Sequence, residues 1–379
     1  MKKLSPKEIL AFHRKIGGKI ETVPKYAVKN RADLTLIYTP GVGVVSSHLA
    51  KHKSDAKYYT IKKNAVAVIS DGSAVLGLGN IGPEGALPVM EGKAVIFKTF
   101  AGIDAYPIVL STQNPAEIVA AVKAIAPTFG AINLEDIAAP NCFEIEERLR
   151  AELDIPVLHD DQWGTAVVVL AGLINALKVT GKKMGRIKIV ISGAGAAGTA
   201  VIKILKEYGA KNILVLDRAG IIYKARSGNA PDKEALAEIT NPRNIQGSLE
   251  DALQGADLFV GLSSAGIVTV EMVKTMAAKA IVFALANPTP EIMPDEAKRA
   301  GAYIAASGRS DFPNQLNNAL SYPGIFRGAL DRNVKAFTMA MLIRAAENLA
   351  GLVQYPTPEK IIPSIFDKGV VEAVSKAIR

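Results

Sequence analysis

The amino-acid sequence predicts an α/β fold in which a doubly wound parallel sheet follows a separate N-terminal α/β domain. Short apolar runs of strand length alternate with segments of helical periodicity along most of the 379 residues. Residues 187–217 read in the order strand, glycine turn, helix, strand, which is the order and length of a βαβ unit. A chain of this length also has room for two domains, each with its own core.

Composition narrows the classes of protein to which the chain can belong. There are 45 Lys and Arg against 36 Asp and Glu, a net charge of +9 spread without long like-charge runs, and only 6% of the residues are aromatic. Nucleic acid is therefore disfavoured as a partner, and anionic small molecules are favoured. The single cysteine, Cys142, predicts a reducing, cytoplasmic location. The longest apolar stretch, residues 166–177, falls short of a membrane span of roughly 20 residues, so we expect no membrane segment.

The N-terminal part predicts one capped helix, several strands and a second helix. Ser5, Pro6 and Glu8 have the spacing of an N-cap, a first helical residue and a capping-box partner, which predicts a helix that ends near Gly17. β-branched runs bounded by turn residues predict strands at 64–70, 93–100, 106–110 and 130–136. Helical periodicity predicts a helix over 114–127.

The second half continues as alternating strands and helices. Strands are predicted at 257–263, 280–288 and 302–308, with helices at 269–280 and 294–301 between them. One long helical segment is predicted from Asn314 to about Leu352, and a last helix closes the chain. These patterns predict an N-terminal domain at 1–163, a Rossmann-type domain at 164–315, and a C-terminal helical segment at 316–379 that packs back on the first domain.

A glycine-rich turn stands directly after the strand at 187–192 and at the head of a helix. It has the form G-x-G-x-x-G and consists of Gly193, Gly195, Ala196, Ala197 and Gly198. Glycines in this pattern allow a tight turn, a close approach of the backbone to a pyrophosphate, and close packing of the helix on the strand. The turn therefore predicts a dinucleotide site, with a purely structural turn as the alternative.

The identity of the dinucleotide depends on the end of the following strand. Asp217 closes that strand, about where an acid that binds the adenosine ribose is expected, and this favours NAD. Arg218 stands beside it and can meet the 2′-phosphate of NADP. The sequence favours NAD slightly and leaves NADP open.

Four acidic residues follow two predicted strands. Glu135 and Asp136 close one strand, and Asp160 and Asp161 come after the apolar run at 156–158. Because ligands of open α/β sheets gather at the carboxyl ends of the strands, these acids can converge on one crevice. Converging carboxylates need a cation, and oxygen ligands suit a hard divalent ion such as Mg²⁺ or Mn²⁺.

Several of these residues also have ordinary structural explanations. Asp161 has the position of a helix N-cap, and the pair that ends the earlier strand can be a solvated turn before Pro140. The cap does not explain Asp160. We take His159 as a hydrogen-bonded core residue and leave it out of the site.

Seven motifs in order resemble those of the malic enzyme family, and the resemblance covers nearly the whole chain. They are "LIYTPGVG" (36–43), "SDGSAVLGLGNIGPEGALPVMEGKAVIFKTFAGID" (70–104), "NLEDIAAPNCFEIE" (133–146), "HDDQWGTA" (159–166), "SGAGAAG" (192–198), "ALANPTPEI" (284–292) and "SGRSDFPNQLNNALSYPGIFRGALD" (307–331). The length resembles the compact microbial branch of the family. The resemblance implies metal-dependent oxidative decarboxylation of L-malate to pyruvate and CO₂, with reduction of NAD or NADP, by a homodimer.

The resemblance also implies roles for individual residues. It implies that Glu135, Asp136 and Asp161 are the ligands of Mg²⁺ or Mn²⁺. Asp160 lies beside them in the sequence and is implied to support a catalytic lysine. Lys93 is implied as the base that takes the hydroxyl proton of malate, and Tyr38 as the acid that protonates C3 of enolpyruvate. Asn287 and Asn318 match positions that hold the substrate or the nicotinamide amide.

The chain departs from the family pattern at two positions. Ala74 stands where the animal enzymes carry an arginine for the substrate carboxylate, and Trp163 stands where histidine or glutamine is usual. The indole can narrow the crevice or pack sideways into the core. Two rival functions stay open: a malolactic enzyme that keeps NAD bound and releases lactate, and a catalytically silent dinucleotide-binding regulator.

Overall fold

A computed structural model describes residues 5–379 and shows two parallel sheets joined by one long buried helix. The strands are β1 (Ala65–Ser70), β2 (Asp104–Val109), β3 (Ala131–Leu134), β4 (Val157–His159), β5 (Lys188–Ser192), β6 (Asn212–Asp217), β7 (Gly220–Ile221), β8 (Leu258–Gly261), β9 (Ile281–Ala284) and β10 (Ile304–Ser307). The first sheet has the order β2-β1-β3-β4, and the second has the order β10-β9-β8-β5-β6-β7. All neighbours are parallel except the pair β6 and β7.

Helices cover both sheets. Eight of them precede the second sheet: α1 (Pro6–Ile16), α2 (Arg31–Ile37), α3 (Gly41–Lys51), α4 (Ala56–Tyr59), α5 (Gly82–Ala101), α6 (Pro115–Ile125), α7 (Asn141–Glu152) and α8 (Asp160–Thr180). The others are α9 (Ala196–Glu207), α10 (Pro231–Ile239), α11 (Leu249–Leu253), α12 (Val270–Lys274), α13 (Pro294–Arg299), α14 (Tyr322–Arg332), α15 (Met339–Gly351) and α16 (Val370–Ala377). The capping box of Ser5 and Glu8 is present at the start of α1, as the sequence predicted.

Strand order places the functional loops at one edge of each sheet. In the first sheet the register pairs Ile69 with Leu134 and Leu134 with His159, so three strands end side by side. In the second sheet β6 and β8 lie on opposite sides of β5, which is a topological switch point of the doubly wound type. The α/β class with parallel sheets is therefore confirmed, and each sheet ends in a crevice.

Helix α8 connects the two sheets and is apolar on nearly every side, with buried residues from Asp160 to Thr180. In the described part of the chain it is the one helix that is long and apolar enough to cross a membrane. Its most apolar window is 78% buried within the fold, and core helices commonly meet the same criteria. We therefore describe α8 as the core helix on which both sheets pack.

Two predicted elements are wrong. Residues 93–100, predicted as a strand, form the second half of α5, because Met90, Ala94 and Phe97 are buried at helical spacing and their packing overrides the β-branched residues between them. The long helix predicted after Asn314 is broken into α14 and α15. Asn333 ends α14 in the left-handed conformation, and Thr338 caps α15.

The C-terminal helices pack back on the N-terminal domain, as predicted. The rings of Tyr322 and Phe326 on α14 make edge-to-face contacts with Phe97 on α5, at centroid distances of 4.7 and 5.4 Å. Helix α14 in turn packs on α16 through two glycines. A Cβ added at Gly328 would lie 2.6 Å from the carbonyl oxygen of Ser375.

The first sixty described residues are different from the rest of the fold. No residue from 5 to 64 is buried, although helix α1 has one apolar face and the segment contains many apolar side chains. Leu10, Phe12, Leu36 and Tyr38 are each more than half exposed. So many exposed large apolar side chains within one segment are unusual on a lone protomer.

Gly328→Ala tests the close contact between α14 and α16. Alanine gains about 1 kcal/mol of helix propensity, but overpacking against backbone typically costs about 1–3 kcal/mol, so we expect a lower melting temperature by circular dichroism. Gly351→Ala is the matched control, because it changes a helical glycine whose added Cβ meets nothing within 4 Å. Equal melting temperatures for the two variants would show that the helices can separate without loss.

Candidate active site

One cleft, of about 740 Å³, lies between the carboxyl ends of the two sheets. The predicted site residues that line it are Lys93, Glu135, Asp136, Asp161, Gly195, Ala196, Ala197, Asn287 and Asn318. A second cavity, of about 1220 Å³, adjoins it and includes Gly193, Gly195, Asp217 and Arg218 in its wall. The shared glycine turn joins the two cavities, so the structure places one extended groove across both domains.

Three carboxylates meet at the floor of the cleft. Glu135 and Asp136 follow β3, Asp161 lies in the first turn of α8, and each offers an oxygen within 4.8 Å of the others. The backbone N–H of Asp136 donates to Oδ2 of Asp161 at 2.8 Å. Asp161 is not an N-cap, since His159 holds that position and makes no side-chain cap.

The pKa values of Glu135 and Asp136 are raised, so their ionised forms are unfavourable in this buried cluster. Burial, helped by the charge of Asp161, raises the pKa of Asp136 to about 7. Burial also raises the pKa of Glu135 well above its ordinary value, although Lys93 opposes it. Oδ2 of Asp136 is buried without a hydrogen-bond partner. Oxygen ligands at this spacing, with one oxygen still unpaired, fit a hard divalent cation.

Lys93 projects from α5 into the same cluster. Its Nζ lies 2.9 Å from Oε1 of Glu135, forms an ion pair with Asp160, and sits 4.5 Å above the centre of the Tyr322 ring. Burial lowers the pKa of Lys93, but the charges of Asp160 and Glu135 outweigh it and hold the pKa well above its ordinary value. With no cation on the carboxylates, Lys93 is therefore an ammonium.

Asp160 reaches Lys93 only because α8 has a glycine four residues later. Asp160 is fully buried, and a Cβ added at Gly164 would lie 1.7 Å from its Oδ1. The carboxylate thus folds over the bare helix backbone. No other residue type at position 164 leaves that space free.

The two asparagines come from the other side of the cleft. Asn287 follows β9, and its carbonyl oxygen approaches Gly77 so closely that a Cβ there would lie 2.0 Å from it. Asn318 begins a single 3₁₀ turn, Asn318–Leu320, that packs beside α8. The N-terminal loop around Gly77 therefore touches the second domain directly and closes one side of the cleft.

The glycine turn has the geometry that the sequence predicted. Gly193 has φ +117°, and a Cβ there would lie 2.4 Å from the carbonyl oxygen of Leu262. A Cβ at Gly198 would lie 1.9 Å from the carbonyl oxygen of Gly193, whereas Gly195 has open space in front of it. Helix α9 starts at the next residue, so its N-terminal N–H groups face that space.

Asp217 ends β6 in the wall of the second cavity, as predicted, but it is already paired. Arg226 donates two hydrogen bonds to its two oxygens, at 2.9 and 2.6 Å, and Nζ of Lys233 lies 2.9 Å from Oδ2. Burial raises the pKa of Asp217, but these two cations outweigh it and lower the pKa far below its ordinary value. The carboxylate is therefore ionised and fixed in position.

Tyr38 is the one predicted catalytic residue that the structure does not bring to the cleft. It follows α2 in the unburied N-terminal segment, and its side chain is 64% exposed. It does not occur among the described residues that line the groove.

Other residues of the site were missed by sequence reasoning. Tyr322 lies under Lys93, and Nδ2 of Asn133 donates to Oε2 of Glu135 at 3.0 Å. Both lie in the quoted motifs, which was the available signal. Trp163 packs into the core, with Nε1 donating to Glu146 at 3.1 Å, and so does not narrow the crevice.

Comparisons with known proteins cover almost the whole chain. A family described as "Malic enzyme, N-terminal domain" matches residues 17–150, and one described as "Malic enzyme, NAD binding domain" matches residues 163–378. The bifunctional malic/malolactic enzyme of Bacillus subtilis is 53% identical over 98% of this chain and 91% of its own. The NAD-dependent malic enzyme of Geobacillus stearothermophilus is 54% identical over 97% and 77%. The crystal structure of the NAD-dependent malic enzyme of Thermotoga maritima superposes with a TM-score of 0.95, at 49% identity and 99% coverage of both chains.

Gly164→Ala tests whether the bare helix backbone is needed to place Asp160. We expect the malate-dependent reduction of NAD to slow by about 10²-fold, because a misplacement of about 1 Å in a catalytic pair has that cost. Gly351→Ala is the control, since its added Cβ meets nothing within 4 Å and Gly351 is not among the described residues that line the cleft. A Gly164→Ala protein with the rate of the control would show that Asp160 does not depend on this glycine.

Proposed function

The chain belongs to the malic enzyme family, and we propose that the cleft between its two sheets is the active site in which it oxidises L-malate and decarboxylates it to pyruvate. One observation carries this proposal. The three clustered carboxylates, Lys93 and the glycine turn arise on separate elements of two domains, yet they open onto one groove. A silent dinucleotide-binding regulator would need only the turn.

We propose that Glu135, Asp136 and Asp161 hold a divalent cation, Mg²⁺ or Mn²⁺. Their shared spacing and the unpaired buried oxygen of Asp136 support this assignment. When bound, the cation supplies Lewis-acid polarisation of the substrate oxygens, and the nicotinamide supplies the hydride acceptor. Asn133 donates a hydrogen bond that holds Glu135 in place, and Val89, Ile96 and Val168 form an apolar part of the wall.

Lys93 is the proposed base for the hydroxyl proton of malate. It can accept that proton only as a neutral amine, so the carboxylate charges that raise its pKa must be shared with a cation first. Asp160 then fixes the position of Nζ. Once C2 has lost its hydride to the nicotinamide, the bond between C3 and the departing carboxylate breaks, CO₂ leaves, and the electron pair of that bond forms the enolate. A proton is then delivered to C3.

The substrate carboxylate has no arginine to meet it in this cleft. Ala74 lines the wall, and Lys93 is the one cationic side chain among the described lining residues. We propose that the side-chain amides of Asn287 and Asn318 orient the substrate or the nicotinamide amide from the opposite side. Both asparagines line the cleft, which supports this role.

We propose NAD as the favoured cofactor. Asp217 is ionised and stands where the adenosine ribose is expected, so it can accept a hydrogen bond from the 2′-hydroxyl. Arg218 and Lys233 lie in the same wall, and their positive charges reduce the repulsion between Asp217 and the 2′-phosphate of NADP. NADP therefore stays a usable alternative. The single buried cysteine supports a cytoplasmic location for the enzyme.

We further propose a homodimer in which the unburied N-terminal segment packs on a second copy of the chain. The support is its many exposed large apolar side chains and the position of Tyr38 outside the cleft of its own chain. In such a dimer Tyr38 of one protomer protonates C3 in the site of the other. Each site then depends on both chains.

The first experiment is the initial rate of dinucleotide reduction with L-malate, with NAD and NADP separately, with Mn²⁺ and then with a chelator. We expect metal-dependent reduction matched one to one by pyruvate. Lys93→Ala should lower the rate by about 10²–10⁴-fold and still bind the dinucleotide. Lys98→Ala, a largely exposed lysine on the same helix, is the control; an active Lys93→Ala enzyme would remove this lysine from the mechanism.

A malolactic reaction is the second candidate, because the Bacillus subtilis relative is named as bifunctional. Malolactic turnover leaves the bound NAD in its starting redox state. Lactate formed without net NADH in the same assay would therefore establish it, and pyruvate formed with NADH would exclude it as the main activity.

Mixed dimers test the contribution of Tyr38 from the partner chain. Tyr38→Phe and Lys93→Ala should each be inactive alone. If each site takes its lysine and its tyrosine from different chains, random exchange of the two variants restores about a quarter of the wild-type activity, since half of the dimers then contain one intact site. No recovery after confirmed subunit exchange would place both residues in the same chain.

A further inference from the structure

A buried polar cluster lies behind the metal-binding carboxylates and takes no part in the chemistry above. Its members are Glu146 on α7, His159 at the end of β4, and Gln162 and Trp163 in the first turn of α8, and all are less than a tenth exposed. Burying a carboxylate and an imidazole is costly unless both are well hydrogen-bonded. The arrangement of their hydrogen bonds therefore indicates their role.

Glu146 is the centre of this cluster. It accepts three hydrogen bonds, from the backbone N–H of His159 at 3.0 Å, from Nε2 of Gln162 at 3.0 Å and from Nε1 of Trp163 at 3.1 Å. Two of these donors come from α8 and one from the strand before it. The carboxylate thus ties the end of β4 to the start of α8.

Gln162 fixes the imidazole of His159 in turn. Its Nε2 lies 3.0 Å from Nδ1 of the ring. An amide N–H in front of Nδ1 requires a lone pair there, so the neutral ring carries its proton on Nε2.

That donor faces a metal ligand. Nε2 of His159 is buried, lies 3.2 Å from Oδ2 of Asp161, and has no fully formed hydrogen bond, so this oxygen is an acceptor within reach. The backbone N–H of Asp136 donates a hydrogen bond to the same oxygen. The N–H of Asp136 donates to Oδ2 and Nε2 of His159 approaches the same atom, so Oδ1 is the oxygen left to turn toward a cation.

We propose that Glu146, Gln162 and Trp163 hold the His159 ring in one orientation, and that His159 positions Asp161 as a metal ligand. The inference rests on the metal site of the proposed function. His159 and Glu146 are positioning residues, because neither is among the described residues that line the cleft. Groups that orient a metal ligand typically affect metal affinity by about 10–100-fold.

The test is the dissociation constant for Mn²⁺, measured from the electron paramagnetic resonance signal of free Mn²⁺ without malate or dinucleotide. Glu146→Gln offers one oxygen and an NH₂ group to three donors, and His159→Leu removes Nε2. Both should weaken Mn²⁺ binding by about 10–100-fold and leave NADH binding unchanged. His159→Gln retains an N–H near the place of Nε2 and should bind Mn²⁺ within about threefold of the wild type.

Glu147→Gln is the matched control, since it makes the same change at an exposed residue of the same helix. Unchanged Mn²⁺ affinity in Glu146→Gln and His159→Leu, with a wild type that binds the ion, would overturn the positioning role alone. A wild type without Mn²⁺ affinity would overturn the metal site itself. If His159→Leu does not fold, Trp163→Phe replaces it; this variant removes one donor to Glu146, and unchanged affinity in it and in Glu146→Gln overturns the proposal.

Discussion

The site depends on the burial of four carboxylates around one lysine. Glu135, Asp136, Asp160 and Asp161 surround or adjoin Lys93, so the cluster has three more negative than positive charges when all are ionised. Burial is the main cause of the high pKa of Asp136 and of Glu135, and repulsion by the neighbouring carboxylates adds to it. Lys93 and the proposed metal site are linked through Glu135, because Asp160 and then Glu135 raise the pKa of Lys93 against the effect of burial, and Glu135 is also one of the three clustered carboxylates.

The fold holds this unfavourable cluster through rigid elements. Strand ends fix Glu135 and His159, the first turn of α8 fixes two aspartates, and the apolar core beneath α8 prevents them from moving apart. Positive partial charge at the N-terminus of α8 also favours carboxylates in its first turn. The absence of a side chain at Gly164 lets one of them turn back across the helix. Packing energy from both domains thus offsets the electrostatic cost of the site.

The sequence predicted those parts of the structure that depend on local signals. The glycine turn, the acid at the end of β6 and the carboxylates at the ends of strands follow from spacing along the chain, and all were found in place. Residues 93–100 were assigned wrongly because their helical burial depends on α14, which is distant in sequence. Glu146 and Tyr322 were missed for the same reason. Their partners are identified only once separate segments have packed together.

The position of Tyr38 could not be predicted for a different reason. In a single chain this residue is exposed and lies outside the cleft, so its proposed role needs a second chain. Ordering a backbone costs about 1–2 kcal/mol per residue, and the segment from 5 to 64 buries no residue of its own to offset that cost. We therefore expect the folded conformation of this segment to need contacts with a surface that this protomer does not provide. With Tyr38 as the proposed acid for C3, the last step of catalysis depends on assembly, whereas the lysine, the carboxylates and the glycine turn lie within one chain. In the proposed dimer the metal site is a property of the fold, and the finished active site is a property of the interface.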